Sequence, residues 1–298
     1  MQIIRIILSL HPKFFLRMSY YTSISVLKPQ LKLAQSAGKT IGFVPTMGAL
    51  HAGHLSLVDQ SVKDNGLSVV SIFVNPTQFN NPDDYIKYPR NIEDDIQLLS
   101  GYQGKVLVYI PEVSDVYPDG VVTESFDYGG IENEMEGKFR PGHFDGVGTV
   151  VKRLFELVEP NNAYFGEKDF QQLQIVKKLV EIENIPVNII GCPISRAASG
   201  LALSSRNKRL DEQQLKASPL IYKVLKQVQK DFGTKSAKSL TQWVENSFNA
   251  SKELQLEYFT IADEATLKPM QKKSNNKKYR AFIAVFAGDV RLIDNIAL

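Results

Sequence analysis

The fold is decided by the stretch IGFVPTMGALHAGH at residues 41–54, followed by the run VVSIFV at residues 69–74. Residues 41–44 have the composition of a buried strand, which Pro45 stops, and residues 54–63 have the period of a helix. The run at 69–74 is rich in β-branched residues and predicts a second buried strand. A buried strand, a helix and a further buried strand predict one unit of a parallel sheet.

The same alternation continues along the chain. It predicts an α/β fold, a Rossmann-like doubly wound parallel sheet that is covered on both faces. Ligands of such sheets bind at the carboxyl ends of the strands. The further strands are predicted at residues 106–110, 163–165 and 187–190, and the further helices at residues 91–100, 147–158 and 169–183.

The pattern changes after about residue 207. Asp211 and Gln214 have the spacing of a capping box, and two further helical segments follow them. Two strand-like runs then come at residues 254–261 and 280–286. Helices followed by paired strands predict a smaller C-terminal α+β domain.

These patterns divide the chain into an N-terminal extension at residues 1–17, a first domain at 18–195 and a second at 196–298. The extension is basic and apolar, and the favoured interpretation is an upstream start codon with Met18 as the first residue. A targeting segment and an ordinary ordered extension are the alternatives. Arg5 interrupts the apolar stretch and no small-residue cleavage site follows, which argues against a signal peptide.

Composition narrows the class of protein. The chain has 298 residues, of which 43% are hydrophobic and 22% are charged, as in a globular protein. The net charge is +3, but residues 1–58 hold six bases and no acid, so the other 240 residues carry a balance of −3. This balance argues weakly against a protein that binds duplex nucleic acid. No apolar run approaches the roughly 20 residues of a membrane helix, the single cysteine cannot form an internal disulfide, and we expect a cytoplasmic protein.

The turn after the first strand carries the first chemical signal. His51 and His54 lie three residues apart where a helix begins, and we expect both side chains on one face of that helix. Helix N-termini present free N–H groups to phosphates, and imidazole donors stabilise charge that develops at phosphorus. Two structural histidines on a capped helix are the alternative interpretation.

Five further groups of residues carry chemical signals. Gln78 follows the second strand and can donate to and accept from a small polar ligand. The acids Asp94 and Asp95 lie in a first helical turn, where a dipole contact is favoured over a magnesium contact. His143 is interpreted as structural. The remaining two segments are Gly166-Glu167-Lys168-Asp169, which places a cation at a glycine turn, and Ser204-Ser205-Arg206, whose donors suit a polyphosphate.

The sequence PTMGALHAGH at residues 45–54 is similar to the HxGH signature of a nucleotidyltransferase superfamily, and in this wording it resembles the pantothenate synthetase (pantoate–β-alanine ligase) family. Five segments between residues 45 and 207 resemble that family in the same order, and residues 291–295 resemble its last strand. The resemblance implies that ATP, pantoate and β-alanine are the substrates and that pantoyl-adenylate is the intermediate. It also implies Mg²⁺ bound with ATP, a homodimer, and a C-terminal domain that closes as a lid over the intermediate.

The resemblance assigns roles to individual residues, and it predicts that the cationic groups converge on one nucleotide. Gln78 and Gln172 would bind pantoate, and Gln78 would also contact β-alanine. The catalytic residues would be His51, His54, Lys168 and Arg206. The ATP-binding residues would be Met47, Gly48, His51, His54, Gly166, Glu167, Lys168, Asp169, Ser195, Leu203, Ser204, Ser205 and Arg206. No protein ligand for a metal is assigned, and Asp94 and Asp95 are the candidates.

The chain departs from the family pattern at three positions. Asp145 stands where the family usually has arginine, and Ala197 and Ser199 stand where it usually has acids. Two other interpretations stay open: a nucleotidyltransferase of the same superfamily that acts on another small substrate, and a non-catalytic nucleotide-binding module, which only the loss of these acids supports. A dependence of AMP formation on β-alanine would separate the ligase from the nucleotidyltransferase, and pantoate-dependent isotope exchange between pyrophosphate and ATP would separate it from the non-catalytic module.

Overall fold

The computed structural model describes residue 18 and residues 20–79, 85–86 and 88–298. The N-terminal extension at residues 1–17 lies outside the described residues. The chain divides into two compact units. The first unit runs to Asp127 and adds Arg140–Gly166 and Ile175–Cys192, and the second contains Tyr128–Phe139, Glu167–Gln174 and Pro193–Leu298.

The strands and helices agree with the predicted alternation and shift its boundaries by a few residues. The strands are β1 (Tyr20–Tyr21), β2 (Ile41–Thr46), β3 (Leu67–Ile72), β4 (Val106–Tyr109), β5 (Asn162–Gly166), β6 (Asn188–Cys192), β7 (Gln255–Asp263), β8 (Tyr279–Ala287) and β9 (Val290–Ala297). The helices are α1 (Ile24–Ser36), α2 (Ala52–Asp64), α3 (Ile92–Leu99), α4 (Val113–Val116), α5 (Met135–Phe139), α6 (His143–Val158), α7 (Phe170–Ile182), α8 (Glu212–Ala217), α9 (Leu220–Asp231) and α10 (Ala237–Asn249).

The first unit holds a six-stranded sheet in the order β1-β4-β3-β2-β5-β6, and every described pair in it is parallel. This confirms the predicted Rossmann-like parallel sheet. From β2 the chain moves outward through β3 and β4, and it later returns to the other side of β2 as β5. The order of strands therefore reverses between β2 and β5, and ligands of open parallel sheets bind at such a point, beyond the carboxyl ends of the strands.

Burial explains why these segments form the sheet. Every residue of β3 is buried, as expected for a strand covered on both faces. The core of the first unit includes Val44 of β2, Val70 of β3 and Val108 of β4, and Met18 packs into the same cluster.

The second unit holds a three-stranded antiparallel sheet in the order β7-β8-β9. Apolar residues of α9 and α10, among them Val228 and Val244, pack with Ile283 of β8 in its core. Helix α8 begins with the capping box that the sequence predicts, with Asp211 as its N-cap and Gln214 as the reciprocal partner. These elements form the smaller α+β domain expected at the C-terminus.

The compact units do not follow a single cut in the sequence. Residues 128–139 and 167–174 cluster with the second unit, although both lie before the predicted boundary at 195/196. Among the described residues no helix is both long enough and apolar enough to cross a membrane.

Candidate active site

The turn that follows β2 carries the two histidines. Thr46, the last residue of β2, donates its hydroxyl to the carbonyl of Ser71 at 2.7 Å, and its oxygen accepts from the amide of Gly48 at 3.2 Å. Gly48 has φ +80° and Ala49 has φ +50°, so the chain turns through the left-handed region at two successive residues. A non-glycine residue rarely adopts this conformation unless its surroundings hold it there.

Asp95 of α3 holds this turn in place. Its Oδ2 accepts from the amide of Ala49 at 2.9 Å and its Oδ1 from the amide of Leu50 at 2.6 Å. The side chain is 2% exposed, so the charged oxygens are satisfied by these amides inside the protein. Sequence reasoning missed this role, because an acid in a first helical turn is ordinarily a solvated dipole partner.

His51 is the N-cap of α2, so the expectation that it shares a helical face with His54 is wrong. Its Nδ1 accepts from the amide of Gly53 at 3.1 Å, which leaves the proton of a neutral ring on Nε2. His54 lies in the first turn of α2, and the centroids of the two imidazole rings are 4.1 Å apart. The two rings are therefore adjacent, and His51 can donate from Nε2 beside the N-terminus of the helix.

The turn after β3 presents Gln78 next to the histidine turn. Gln78 ends a short 3₁₀ helix capped by the side chain of Asn75, which is 1% exposed. The side-chain nitrogen Nε2 of Gln78 lies 2.8 Å from the sulfur of Met47, so the turns after β2 and β3 are in contact. Tyr117 donates to Asn75 Oδ1 at 2.8 Å, and burial raises the pKa of Tyr117, so this hydroxyl stays protonated at neutral pH.

Helix α6 supports the backbone of Gln78. His143 Nδ1 lies 2.9 Å from the carbonyl of Gln78, and His143 is buried, in agreement with its predicted structural role. Gly146 packs so closely that an added Cβ would lie 2.3 Å from the carbonyl oxygen of Thr77. Asp145 accepts from the amide of Phe126 at 3.2 Å, so this departure from the family pattern has a structural partner.

In the second unit, Lys168 lies in a short 3₁₀ turn, Glu167–Asp169, which follows Gly166 at the end of β5. Its ammonium lies 3.5 Å from Asp169 Oδ1, a long ion pair with a partner that is half exposed. The carbonyls of Glu167 and Lys168 both accept from the side-chain amide of Asn295 at 2.9 Å. The backbone of the turn is therefore fixed by β9.

The segment from Ser195 to Leu203 forms a tight hairpin in the second unit. Leu203 donates its amide to the carbonyl of Ser195 at 2.9 Å, and Arg196 pairs with Ala202 in an antiparallel bridge. Arg196 binds Asp294 through two bonds of 2.6 and 2.9 Å, and its guanidinium lies 3.8 Å from the centroid of the Tyr222 ring. The hairpin is thus anchored without the two acids that the family usually has at positions 197 and 199.

A 3₁₀ helix, Ser205–Arg209, follows the hairpin. Ser204 is its N-cap and accepts from the amide of Arg206 at 3.3 Å. Asn207 donates to the carbonyl of Ala202 at 3.0 Å and ties the 3₁₀ helix back to the hairpin. The bond from Asn207 therefore fixes the segment of Ser204, Ser205 and Arg206 against the hairpin that contains Ser195 and Leu203.

The two neighbouring glutamines at the start of α7 differ. Gln171 is 3% exposed and bonds the amide of Glu136 and the carbonyls of Ile131 and Glu134. Gln172 is half-buried. Gln171 is thus structural, and Gln172 remains the predicted ligand-binding residue of the pair.

The structure gives the predicted metal candidates other partners. Asp95 bonds the amides of Ala49 and Leu50, and Asp94 Oδ2 accepts from the side chain of Asn91 at 2.6 Å. Among the described residues no group of three or more His, Cys, Asp or Glu side chains could hold a metal ion. Both carboxylates thus accept from donors of the protein, and the contacts of Asp95 go beyond the dipole interpretation, since they hold the turn after β2.

The predicted site residues fall into two sets. Within the first unit, the turns after β2 and β3 bring Met47, Gly48, His51, His54 and Gln78 to the carboxyl ends of neighbouring strands, and Gly166 ends β5 on the other side of β2. Within the second unit, the network of β9 holds the Lys168 turn and the Ser195–Arg206 segment. Their convergence on one nucleotide stays a prediction.

Comparison with known proteins gives consistent matches. A sequence model of the pantoate–β-alanine ligase family matches residues 19–297. The pantothenate synthetase of Christiangramia forsetii is 53% identical over 281 residues, which are 94% of this chain and 99% of that protein. The pantothenate synthetase of Flavobacterium psychrophilum is 55% identical over 272 residues, which are 91% of this chain and 96% of that protein.

Solved structures match over a similar length. A crystal structure of pantothenate synthetase from Thermus thermophilus has a TM-score of 0.85 and 38% identity, and the match covers 93% of this chain and 98% of that chain. Pantoate–β-alanine ligase from Francisella tularensis, complexed with β-γ ATP and β-alanine, has a TM-score of 0.75 and 41% identity, and the match covers 94% of this chain and 97% of that chain.

These matches span both units of the chain and all of the segments that carry the predicted site. The parallel sheet of the first unit and the antiparallel sheet of the second match the architecture of the solved structures. The chain therefore belongs to the pantoate–β-alanine ligase family and is an ATP-dependent ligase that joins pantoate to β-alanine.

Proposed function

We propose that His51, His54, Lys168 and Arg206 bind the phosphates of ATP while pantoate is activated. The observation that carries this proposal is the contact between the two imidazole rings, 4.1 Å apart at the N-terminus of α2. A carboxylate is a poor electrophile, and transfer of AMP to it supplies a leaving group.

The reaction has two half-reactions. In the first, a carboxylate oxygen of pantoate bonds to the α-phosphorus of ATP, the bond from that phosphorus to the β-phosphate bridge breaks, and pyrophosphate leaves. In the second, the amine of β-alanine bonds to the acyl carbon, the bond from that carbon to the phosphate oxygen breaks, and AMP leaves as the amine loses a proton. Neither step needs a covalent bond to the protein, so catalysis rests on positioning and charge stabilisation.

The histidines stabilise the negative charge that develops on the leaving pyrophosphate. The bond from Gly53 to His51 Nδ1 leaves the proton of a neutral ring on Nε2, which makes this nitrogen the donor of the ring. The dipole at the N-terminus of α2 favours an anion at the same place. Met47 and Gly48 lie in the turn before the histidines, and the nucleotide approaches the backbone of these two residues.

Lys168 and Arg206 supply cations to the same polyphosphate. The weak pair between Lys168 and Asp169 can be exchanged for a phosphate oxygen, because at 3.5 Å and near solvent it contributes little. Arg206 offers bidentate donors, and the hydroxyls of Ser204 and Ser205 offer short ones. The other predicted nucleotide contacts are Gly166, Glu167, Asp169, Ser195 and Leu203.

Gln78 and Gln172 orient pantoate, and Gln78 also contacts β-alanine. A primary amide can donate and accept at once, which suits a ligand with hydroxyl and carboxylate groups. The support for Gln78 is its rigid backbone, which His143 holds at the carbonyl, and its side chain beside Met47.

The phosphate oxygens of ATP would hold Mg²⁺, because a hard cation prefers such oxygens, and Asp94 and Asp95 accept hydrogen bonds from donors of the protein. We further propose that the C-terminal domain at residues 196–298 serves as a lid that keeps water from the acyl-adenylate. The chain is also proposed to act as a homodimer and to work in the cytoplasm. Sedimentation analysis of the full chain tests the homodimer.

The proposal is tested with His54→Ala, by measuring isotope exchange between pyrophosphate and ATP in the presence of pantoate. We expect the exchange rate to fall at least about ten-fold, which corresponds to about 1.4 kcal/mol of transition-state stabilisation. Gln60→Ala, at a residue of the same helix that bonds Asp64, is the matched control and keeps the exchange rate. Wild-type exchange in His54→Ala would contradict the assignment.

A further inference from the structure

The last strand of the chain bonds to both phosphate-directed segments of the second unit. Asp294 and Asn295 are neighbours on β9 and are 4% and 2% exposed. Asp294 binds Arg196 at the base of the Ser195–Leu203 hairpin, and Asn295 binds the carbonyls of the Lys168 turn. Neither residue is among those proposed to bind ATP, pantoate or β-alanine.

The side chain of Asn295 has one orientation that satisfies its partners. Its nitrogen donates to the carbonyls of Glu167 and Lys168, both at 2.9 Å, and its oxygen accepts from Arg280 at 2.6 Å. Two acceptors on one side and a cation on the other fix the amide against a flip. The guanidinium of Arg280 is itself held by Glu264 at 2.8 Å and lies 4.0 Å from the centroid of the Phe170 ring.

The neighbouring carboxylate couples this anchor to the hairpin. Asp294 Oδ1 accepts from the amide of Asn295 at 2.7 Å and from Arg196 at 2.9 Å, and its Oδ2 accepts from Arg196 at 2.6 Å. The same arginine donates to the carbonyl of Gly200 at 3.1 Å, which closes the hairpin that leads to Ser204 and Arg206. The buried charge of Asp294 is therefore paired in a bidentate geometry.

We infer that Asp294 and Asn295 are positioning residues for adenylation, which set the Lys168 turn and the hairpin before Arg206 in one rigid frame. The inference rests on the proposed phosphate-binding roles of Lys168 and Arg206. Neither side chain touches the reacting atoms in this scheme. Asn295 acts through the backbone carbonyls of the Lys168 turn, and Asp294 acts through the guanidinium of Arg196, which bonds the hairpin at Gly200. The cation of each segment must meet the phosphates, and a small displacement of such a group costs up to about a hundred-fold in rate.

The test is a double-mutant cycle on Asn295→Asp and Lys168→Met, read as the rate constant of pantoate-dependent exchange between pyrophosphate and ATP. Asn295→Asp keeps the shape of the side chain but turns an oxygen toward the two carbonyls. We expect this variant to lower the exchange rate about ten- to a hundred-fold when Lys168 is present, and by less than about three-fold when Lys168 is methionine. Loss of folded protein alone would lower both rates by the same factor.

A second double-mutant cycle, on other residues, keeps the inference testable if Asn295→Asp does not fold. Asp294→Asn keeps the volume of the side chain and weakens its bond to Arg196, and it is combined with Arg206→Met. The matched control is Gln229→Ala, which removes a 2.7 Å bond from a side-chain amide to the carbonyl of Ala297 on the same strand. This control keeps the wild-type exchange rate.

The outcomes separate the inference from the function on which it rests. In both cycles, the substitution on β9 could lower the exchange rate by the same factor whether the cation is present or replaced by methionine. That result would overturn the positioning role of Asp294 and Asn295 and leave the assigned function of Lys168 and Arg206 in place. Wild-type exchange in Lys168→Met and Arg206→Met would contradict the assignment of the cations, and the positioning role with it.

Discussion

Asp95 Oδ1 lies 2.6 Å from the backbone nitrogen of Leu50, and this contact ties α3 to the turn that carries the histidines. The other carboxylate oxygen of Asp95, Oδ2, accepts from the backbone amide of Ala49, whose φ of +50° is otherwise unfavourable. A carboxylate that accepts two buried amides makes strong, charge-assisted bonds. Through these two bonds to the backbone, Asp95 helps to set the position of the imidazoles of His51 and His54.

Replacement of this carboxylate tests its role. We expect Asp95→Ala to lower the free energy of unfolding by about 1–3 kcal/mol, because two buried amides lose their acceptor. The rate of pantoate-dependent pyrophosphate exchange falls about ten-fold or more as the turn relaxes. Urea unfolding and the exchange assay measure the two effects.

Asp94→Asn is the control for Asp95, since it lies one residue away in an exposed position. We expect it to keep the stability, the exchange rate and the Mg²⁺ concentration that supports half of the maximal rate. An increased requirement for Mg²⁺ in Asp94→Asn would favour a magnesium contact at this carboxylate. Unchanged exchange in Asp95→Ala would refute the positioning of the turn.

His51 caps the N-terminus of α2 and is also the proposed hydrogen-bond donor to phosphate. Two substitutions at this position separate the capping role from the donor role. His51→Asn keeps a capping oxygen for α2 and changes the stability by roughly a few tenths of a kcal/mol, whereas His51→Ala costs about 1 kcal/mol. Both remove the Nε2 donor, so we expect both to lower the exchange rate about ten-fold or more. Thermal unfolding and the exchange assay give the comparison. Full activity in His51→Asn would mean that His51 is a cap and nothing more.

Gly146 allows α6 to lie against the turn that presents Gln78. Gly146→Ala would bring a methyl carbon to within 2.3 Å of the carbonyl of Thr77, so the turn or the helix must move. We expect a loss of about 1–3 kcal/mol in stability and a higher KM for pantoate, with a smaller change in KM for ATP. Steady-state kinetics with each substrate varied in turn measure this.

Gly101→Ala is the matched control for Gly146→Ala, because an added Cβ there meets no atom within 4 Å. It should leave both KM values at the wild-type level. An equal rise in the KM for pantoate and for ATP in Gly146→Ala would argue against a specific link between Gly146 and Gln78.

Asp263 gives the second unit a predictable dependence on pH. Burial raises the pKa of Asp263, but bonds from Lys277 and from the amides of Thr266 and Ala265 outweigh burial, so the pKa is lowered overall. A lowered folded-state pKa adds stability above the unfolded pKa of about 3.9, and this stability is lost as the pH falls through the folded value.

We therefore expect Asp263→Asn to be less stable than the wild type at pH 7, and the difference to shrink below about pH 4. Urea unfolding across this range measures it. Asp289→Asn, which removes an exposed pair with Arg209, should change stability by less than about 1 kcal/mol at neutral pH. A difference for Asp263→Asn that persists unchanged at low pH would show that the charge of Asp263 is not its source.

Much of the fold was predictable because its strands and helices have local sequence patterns. The fully buried β3 and the amphipathic α6 were found from composition and period, and the Asp211–Gln214 box from its spacing. β1 and α1 were not predicted. β1 has two residues, and α1 contains Pro29, which ordinarily signals the end of a helix.

The supports of the site could not be predicted, because they join residues far apart in the chain. Nothing beside Asp95 in the sequence indicates that it bonds Ala49 and Leu50, and nothing beside Asn295 points to Lys168. The residue types are ordinary, and only folding creates the buried environment in which a paired carboxylate or amide becomes specific. His51 shows the same limit on a smaller scale, since its spacing suggested a helical face and the structure makes it a cap.

Local sequence patterns were enough to predict the parallel sheet, most of its strands and helices, and the family, because periodicity and motif wording are properties of neighbouring residues. Tertiary structure decided which side chains hold the histidine turn, the Gln78 turn and the Lys168 turn. It also decided that residues 128–139 and 167–174 cluster with the second unit. The physical reason is that hydrogen bonds and close packing between distant segments form when the chain is compact, and no local pattern encodes their partners.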